Sequence, residues 1–286
     1  MMGYWRACAA AFVAAALGSA TAHAATVFNF TNFNNCAPLQ LNGNAACTGG
    51  VLRVTPATFG QSGSAFSTTL IPLGPGATFS TFFSFNINAS GGAADGDGLG
   101  ADGLVFVVQP VSSSVGGAGG GIGYAGIPNS LGVEFDTWNN GAGAGDPDGN
   151  HVGVDLNGSV FSVVTASIPT RMNDATTKYA WIDYDGTTIS LRLSQTPTRP
   201  AAPTLTHVVN LATVLGTTSA FVGFTSGTGA AFGNHDVLTW QFDNSFAPIG
   251  APGPSAVIPT LSDVALIVLG LLVLAAAAFA LRRRAT

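Results

Sequence analysis

Between residues 26 and 244 the chain holds no sustained apolar stripe of period 3.6, so a helix-built core is ruled out. Clusters of Gly, Pro and Asn cut it instead into short apolar or alternating runs. These are TVFNFTNF (26–33), VLRVTP (51–56), FSTFFSFNIN (79–88), LVFVVQP (104–110), LGVEFDTW (131–138), HVGVDL (151–156), KYAWIDYD (178–185), TISLRLS (188–194), SAFVGFTS (219–226) and VLTWQFDN (237–244). Runs of this length and spacing predict an all-β antiparallel sandwich, and a sandwich of this size forms one domain. The 38 glycines and 15 prolines supply its turns, and only 8% of the residues are charged. Nine bases against fourteen acids cannot line a phosphate backbone, which excludes nucleic acid as a partner.

The two ends read as targeting devices. Residues 1–24 carry Arg6, an apolar run and Ala22-His23-Ala24, the pattern of a secretory signal peptide with a small-x-small cleavage site. Residues 245–257 form a Pro/Gly/Ala linker. Beyond it, 258–286 combine Ile258-Pro259-Thr260-Leu261-Ser262, an uncharged stretch at 264–281 long enough for a transmembrane helix, and Arg282–Arg284. The arginines would keep the C-terminus cytoplasmic. This tail resembles the IPTL-type bacterial sorting signal. The resemblance implies an exported protein held by a C-terminal inner-membrane anchor until a sorting protease passes it to the cell surface or the extracellular space; a plain single-span anchor is the alternative.

Within the exported part, Cys36 and Cys47 remain once Cys8 is assigned to the signal. In an oxidising compartment they are expected to form one disulfide, contributing about 2–3 kcal/mol by closing a short loop. Acids are scarce, so their placement is informative. Glu134 is the only glutamate, and it precedes Asp136, Asn140, Asp146 and His151 in the order E-x-D, N, D-P, H. On a strand, Glu134 and Asp136 share a face. Asp136, Asn140 and Asp146 supply the hard oxygens that suit Ca²⁺, and Glu134, Asp136, Asp146 and His151 supply the mixed set that suits Mn²⁺ or another divalent transition metal. Two ions sharing Asp136 and Asp146 account for this concentration of charge.

With these motifs in place, the segment 25–244 resembles the legume-type (L-type) lectins. The pieces that carry the likeness are Gly63-Ser64-Ala65-Phe66, FSTFFSFNI, Ala101-Asp102-Gly103-Leu104-Val105-Phe106, GGGIGYAGIPNS (119–130), VEFDTW, DP…HVGVD, WIDYDG (181–186) and NHDVLTWQF (234–242). The resemblance implies a flattened jelly roll of the concanavalin A type that binds carbohydrate (a glycan or exopolysaccharide) without catalysis. It further implies that Asp102 accepts hydrogen bonds from the sugar after a cis Ala101–Asp102 bond, and that Gly120, or Gly121 with a one-residue slip, donates its N–H. Asn140 would serve both sugar and Ca²⁺. Trp138 would give its carbonyl to Ca²⁺ and its ring to the sugar, with a core position as the alternative. Residues 229–234 correspond to the variable specificity loop. The Asp136–Asp146 spacing is one residue longer than is common in plant members, and the serine position near Ser159–Ser162 is left unassigned. His235-Asp236 reads as a loop-closing structural pair. Two rival functions remain: a surface or matrix protein that keeps fold and metals but binds no sugar, and a sandwich glycoside hydrolase, for which a second nearby carboxylate is lacking.

Overall fold

The computed structural model describes residues 26–117 and 119–250. The expected signal peptide, sorting signal and membrane segment lie outside these residues. Among the described residues no helix is long and apolar enough to cross a membrane.

Two antiparallel sheets face one another. The back sheet runs in the order Leu205–Val208, Thr188–Ser194, Lys178–Tyr184, Phe79–Gly92, Ala231–Asp243, Val51–Thr55 and Ala46–Thr48, with Thr26–Phe30 also paired to Ala231–Asp243. The front sheet runs Val164–Ser167, His151–Leu156, Leu131–Asp136, Gly103–Gln109, Ser219–Gly227, Ser62–Ser67 and Leu39–Gly43, with Ile71–Pro72 beside Ser219–Gly227. Period-two alternation sends one set of side chains inward from each sheet. Phe83 of the back sheet meets Phe106, Phe135 and Phe224 of the front sheet at 5.0–6.2 Å between ring centres.

The front sheet also buries part of its outer face. Phe66, Val105 and Val107 point away from the main core and are covered by Ile122, Tyr124 and Ile127 of the Gly-rich segment, which makes a second, smaller core. That cap holds the segment containing Gly120 against the sheet. Cys36 and Cys47 are joined as a disulfide with Cα atoms 6.6 Å apart.

Several details depart from the sequence reading. Leu39–Gly43, Ala46–Thr48, Ser62–Ser67, Val164–Ser167 and Leu205–Val208 are sheet strands outside the ten expected runs, four of them short and at or near sheet edges. The first strand stops at Phe30 rather than 33, because the side chains of Asn32 and Asn35 accept the backbone N–H groups of Asn34 and Ala37 and turn the chain. A five-residue helix, Leu211–Leu215, forms where Asn210 caps Thr213 N–H. A small hairpin, Ala94–Asp95 with Gly98–Leu99, stands just before Asp102.

Candidate functional site

Register brings the chemistry to one end of the front sheet. Gly103 pairs with Asp136 on one side and Gly227 on the other, Asp136 pairs with His151, and Gly227 pairs with Ser62. Leu131, Val133 and Phe135 fill the main core, so Glu134 and Asp136 are forced to the outer face. Val152 and Val154 do the same for His151 and Asp155. One alternation rule thus collects four ionisable side chains on one surface.

Asp136, Asp146 and His151 each offer a ligand atom, and these atoms lie within 4.8 Å of one another. His151 Nε2 is 3.5 Å from Glu134 Oε1 and 4.0 Å from Asp146 Oδ1, while its Nδ1 is fixed 3.0 Å from the Asp148 carbonyl. Nε2 is buried without a hydrogen-bond partner. Burial, then the charge of Glu134, push the Asp136 carboxyl well above its ordinary range. Burial likewise raises Asp146. Burial pulls His151 down, but the nearby carboxylate of Glu134, together with Asp146, outweighs it and raises the imidazole. A cluster of acids whose charges oppose one another around an unpartnered ring nitrogen fits a divalent cation, which relieves the repulsion and takes the nitrogen.

The sugar-facing candidates converge beside this cluster. The Ala101–Asp102 peptide is cis. Asp102 donates its N–H to Gly227 O at 3.2 Å and its carbonyl accepts Thr137 N–H at 3.0 Å, so the residue is held by both neighbouring strands. Its Oδ2 is buried and unpartnered, and burial pushes the carboxyl up to about 7. Gly103 has φ of +138°, and a Cβ there would run into the Phe135 carbonyl, so only glycine lets the chain enter its strand from this position. Gly120 lies so near Asn140 that a Cβ would sit 2.9 Å from Asn140 Oδ1. Gly121 instead faces Ala125. Asn140 is exposed, and its N–H is fixed by Asp146 Oδ2 at 2.6 Å. Trp138 is half-buried, and its N–H donates to Asp136 Oδ1 at 2.7 Å. The large core indoles are Trp181 and Trp240. Of the expected specificity loop, residues 231–234 are instead the start of the strand Ala231–Asp243, paired with Phe79–Gly92; Gly229, before it, faces Asp102, with a Cβ built there lying 3.8 Å from Oδ2.

Four residues that the sequence reading left without a role belong to this region. Ser162 Oγ stands 2.5 Å from Glu134 Oε1 and 2.6 Å from Asp155 Oδ1. One hydroxyl proton cannot serve both carboxylates. Burial and the charge of Glu134 hold the Asp155 carboxyl well above the usual carboxylate range. The pattern H-x-G-x-D, with alternation, already places Asp155 beside His151 on one face. Asp95 and Asp97 of the added hairpin reach over the ion loop. Asp95 Oδ2 accepts Asn139 N–H and Asp97 Oδ2 accepts Gly149 N–H, both at 2.9 Å. The hairpin therefore clips both ends of the loop whose middle is Gly141-Ala142-Gly143-Ala144-Gly145. The D-G-D-G string at 95–98 is its sequence trace.

His235 and Asp236 have structural surroundings. Burial lowers His235 to about 3, with its Nδ1 2.8 Å from Thr55 Oγ1, and Asp236 pairs with Arg53 at 2.8 Å.

With this geometry described, comparison with known proteins is direct. Residues 25–255 match the family described as the legume lectin domain. The chain belongs to the legume lectin family. This legume lectin domain is 33% identical to the Lectin alpha chain of Lablab purpureus over 75% of its own length and 80% of that protein. It is also 33% identical to the L-type lectin-domain containing receptor kinase VIII.1 of Arabidopsis thaliana, covering 73% of this chain but only 29% of that kinase. Among solved structures, basic winged bean lectin with Tn-antigen aligns with a TM-score of 0.63 at 28% identity, over 77% of this chain and 98% of that one. Membership places the domain among non-catalytic carbohydrate-binding proteins.

Proposed function

We propose that this protein is an exported bacterial lectin, tethered to or released from the cell surface by its IPTL-type C-terminal signal, that binds glycan or exopolysaccharide in a Ca²⁺-dependent manner. The carrying observation is Asp102, a buried carboxylate with one orphaned oxygen, whose carbonyl takes the N–H of Thr137 next to Asp136 of the acid–histidine cluster. An unpartnered carboxylate costs several kcal/mol in such surroundings, and a pair of sugar hydroxyls would satisfy it.

Glu134, Asp136, Asp146 and His151 would hold a transition metal, and Asp136, the Trp138 carbonyl, Asn140 and Asp146 would hold Ca²⁺. Bound cations would supply the positive charge that keeps these acids ionised together and the ion loop ordered. Asp102 would then accept from two sugar hydroxyls, the Gly120 N–H and the Asn140 amide would donate, and the Trp138 ring would cover a C–H face of the sugar. A single shallow site of this kind binds weakly, so adhesion would rest on many copies.

The test is a glycan array probed with the full chain, in Ca²⁺ and Mn²⁺ and again after verified metal removal with EDTA. Binding to at least one glycan class that disappears with EDTA, along with a lower melting temperature, is the expected outcome. Unchanged glycan binding without metal would refute the ion-dependent mechanism. A folded wild type that binds no glycan would instead favour the matrix-protein reading.

A further inference from the structure

Phe59 is a phenylalanine with 60% of its surface exposed, in a loop that touches the sugar-facing end of the front sheet. Lone exposed apolar residues are ordinary; its fixation and position set this one apart. Gly60 N–H donates to Gly229 O at 3.1 Å, and the Cβ position of Gly229 is 3.8 Å from Asp102 Oδ2. The backbone next to Phe59 is therefore hydrogen-bonded to the glycine that faces the orphaned carboxylate.

The segment is tied on both sides. Thr228 Oγ1 accepts Gln61 N–H at 2.8 Å and donates to Thr58 O at 2.7 Å, and Thr228 N–H donates to Gln61 O at 2.9 Å. The Phe59 ring meets Phe232 edge to face, with centres 4.8 Å apart and planes at 83°. Phe232 in turn lies on the backbone of Gly91 and Gly92, where any Cβ would strike its ring. The outer ring is thus held by an inner one, itself seated on two glycines. An exposed aromatic held in this way loses little conformational freedom when something stacks on it.

We propose that Phe59 is a stacking platform for a second sugar residue, so that the ligand is a neutral oligosaccharide rather than a single sugar. The proposal rests on carbohydrate binding at Asp102. Phenylalanine has no hydrogen-bonding group on its ring, so the matching surface is the C–H face of a pyranose, attached to the sugar whose hydroxyls reach Asp102. Phe232, at the start of the strand Ala231–Asp243, and the turn at 229–230 set the angle of that platform, which makes Phe59 a specificity residue for the length and linkage of the chain.

The experiment compares wild type, Phe59→Ala and Phe59→Trp as Ca²⁺-loaded full chains. Each is first run on an array of monosaccharides and linear oligosaccharides. Calorimetry then follows with the best oligosaccharide and with its component monosaccharide. Wild type is expected to prefer the oligosaccharide. Phe59→Ala should lose roughly three- to tenfold of oligosaccharide affinity and none of the monosaccharide affinity, while Phe59→Trp retains the preference. Equal loss for both probes, no loss for either, or a wild type with no preference for the longer ligand would overturn the proposal. If wild type binds neither probe, the carbohydrate reading itself falls, a result separable from a platform that fails while monosaccharide binding survives. Because Phe59 is exposed, unchanged melting temperatures are expected in both variants.

Discussion

Replacing Asp102 by Asn should separate sugar recognition from stability in the metal-free protein. The folded carboxyl titrates at about 7 because burial disfavours its charge, whereas the unfolded chain titrates at the ordinary 3.8. The unfolded state therefore releases its proton first as pH rises. Below 3.8 both states are protonated and the group is neutral toward stability. Between 3.8 and about 7 the folded state retains a proton that the unfolded state has lost, and stability falls with pH. Above 7 the loss is complete, on the order of 4 kcal/mol at about 1.4 kcal/mol per pH unit. At pH 5 only about 1.6 kcal/mol of it has developed by the same rule. Asn carries no charge at either pH. Its amide brings a burial cost of about 1–3 kcal/mol that is constant with pH, so the useful quantity is the difference between two pH values. Urea unfolding of EDTA-treated wild type and Asp102→Asn at pH 5 and pH 8 measures it. The variant should gain roughly 2–3 kcal/mol relative to wild type between the two. With metals restored it should bind no glycan at either pH. A stability difference that does not change with pH would refute the claim that Asp102 is a desolvated, unpaired carboxyl.

The remaining expectations concern the ion loop and the Gly-rich cap. Asp95→Ala with Asp97→Ala removes both hydrogen bonds that anchor the loop ends, so Ca²⁺ affinity by calorimetry should fall about tenfold, matching one to two net hydrogen bonds. Unchanged affinity would show that the hairpin merely rests on the loop. Gly120→Val would push a side chain against Asn140 and should reduce glycan binding at least tenfold with a melting temperature within a few degrees of wild type, because the residue sits in the cap and not in the sheets. Full binding by that variant would remove Gly120 from the proposed sugar contacts.

Much of the architecture was legible because alternation is a strong signal. Leu131, Val133 and Phe135 alternate with Gly132, Glu134 and Asp136, and that pattern alone assigns the faces. The scarcity of acids made the ion loop stand out for a similar reason, since Glu134 has no other glutamate to compete with it. What stayed hidden depends on approach in space. Val105 and Val107 read as ordinary strand residues until the Gly-rich segment is seen folded over them. Ser162 lies six residues beyond Leu156, the end of its strand, and nothing local ties it to Glu134. The hairpin at 94–99 is too short and too glycine-rich to register as strand, and the targets of its two aspartates are backbone N–H groups 44 and 52 residues away. Phe59 falls outside every expected run, and its partner, Phe232, lies 173 residues further along the chain.

The pairing of Thr26 with Asp243 has a mechanical consequence. The strand Ala231–Asp243 begins beside the specificity loop and runs thirteen residues away from it, a path on the order of 40 Å. Thr26 is laid against its far end. Both extremities of the folded domain therefore emerge together, at the pole opposite the proposed recognition surface. A leash fastened to either one points that surface outward, away from whatever holds the molecule. Pulling on a captured glycan would load the domain lengthwise along its longest strands, with force entering at one pole and leaving at the other.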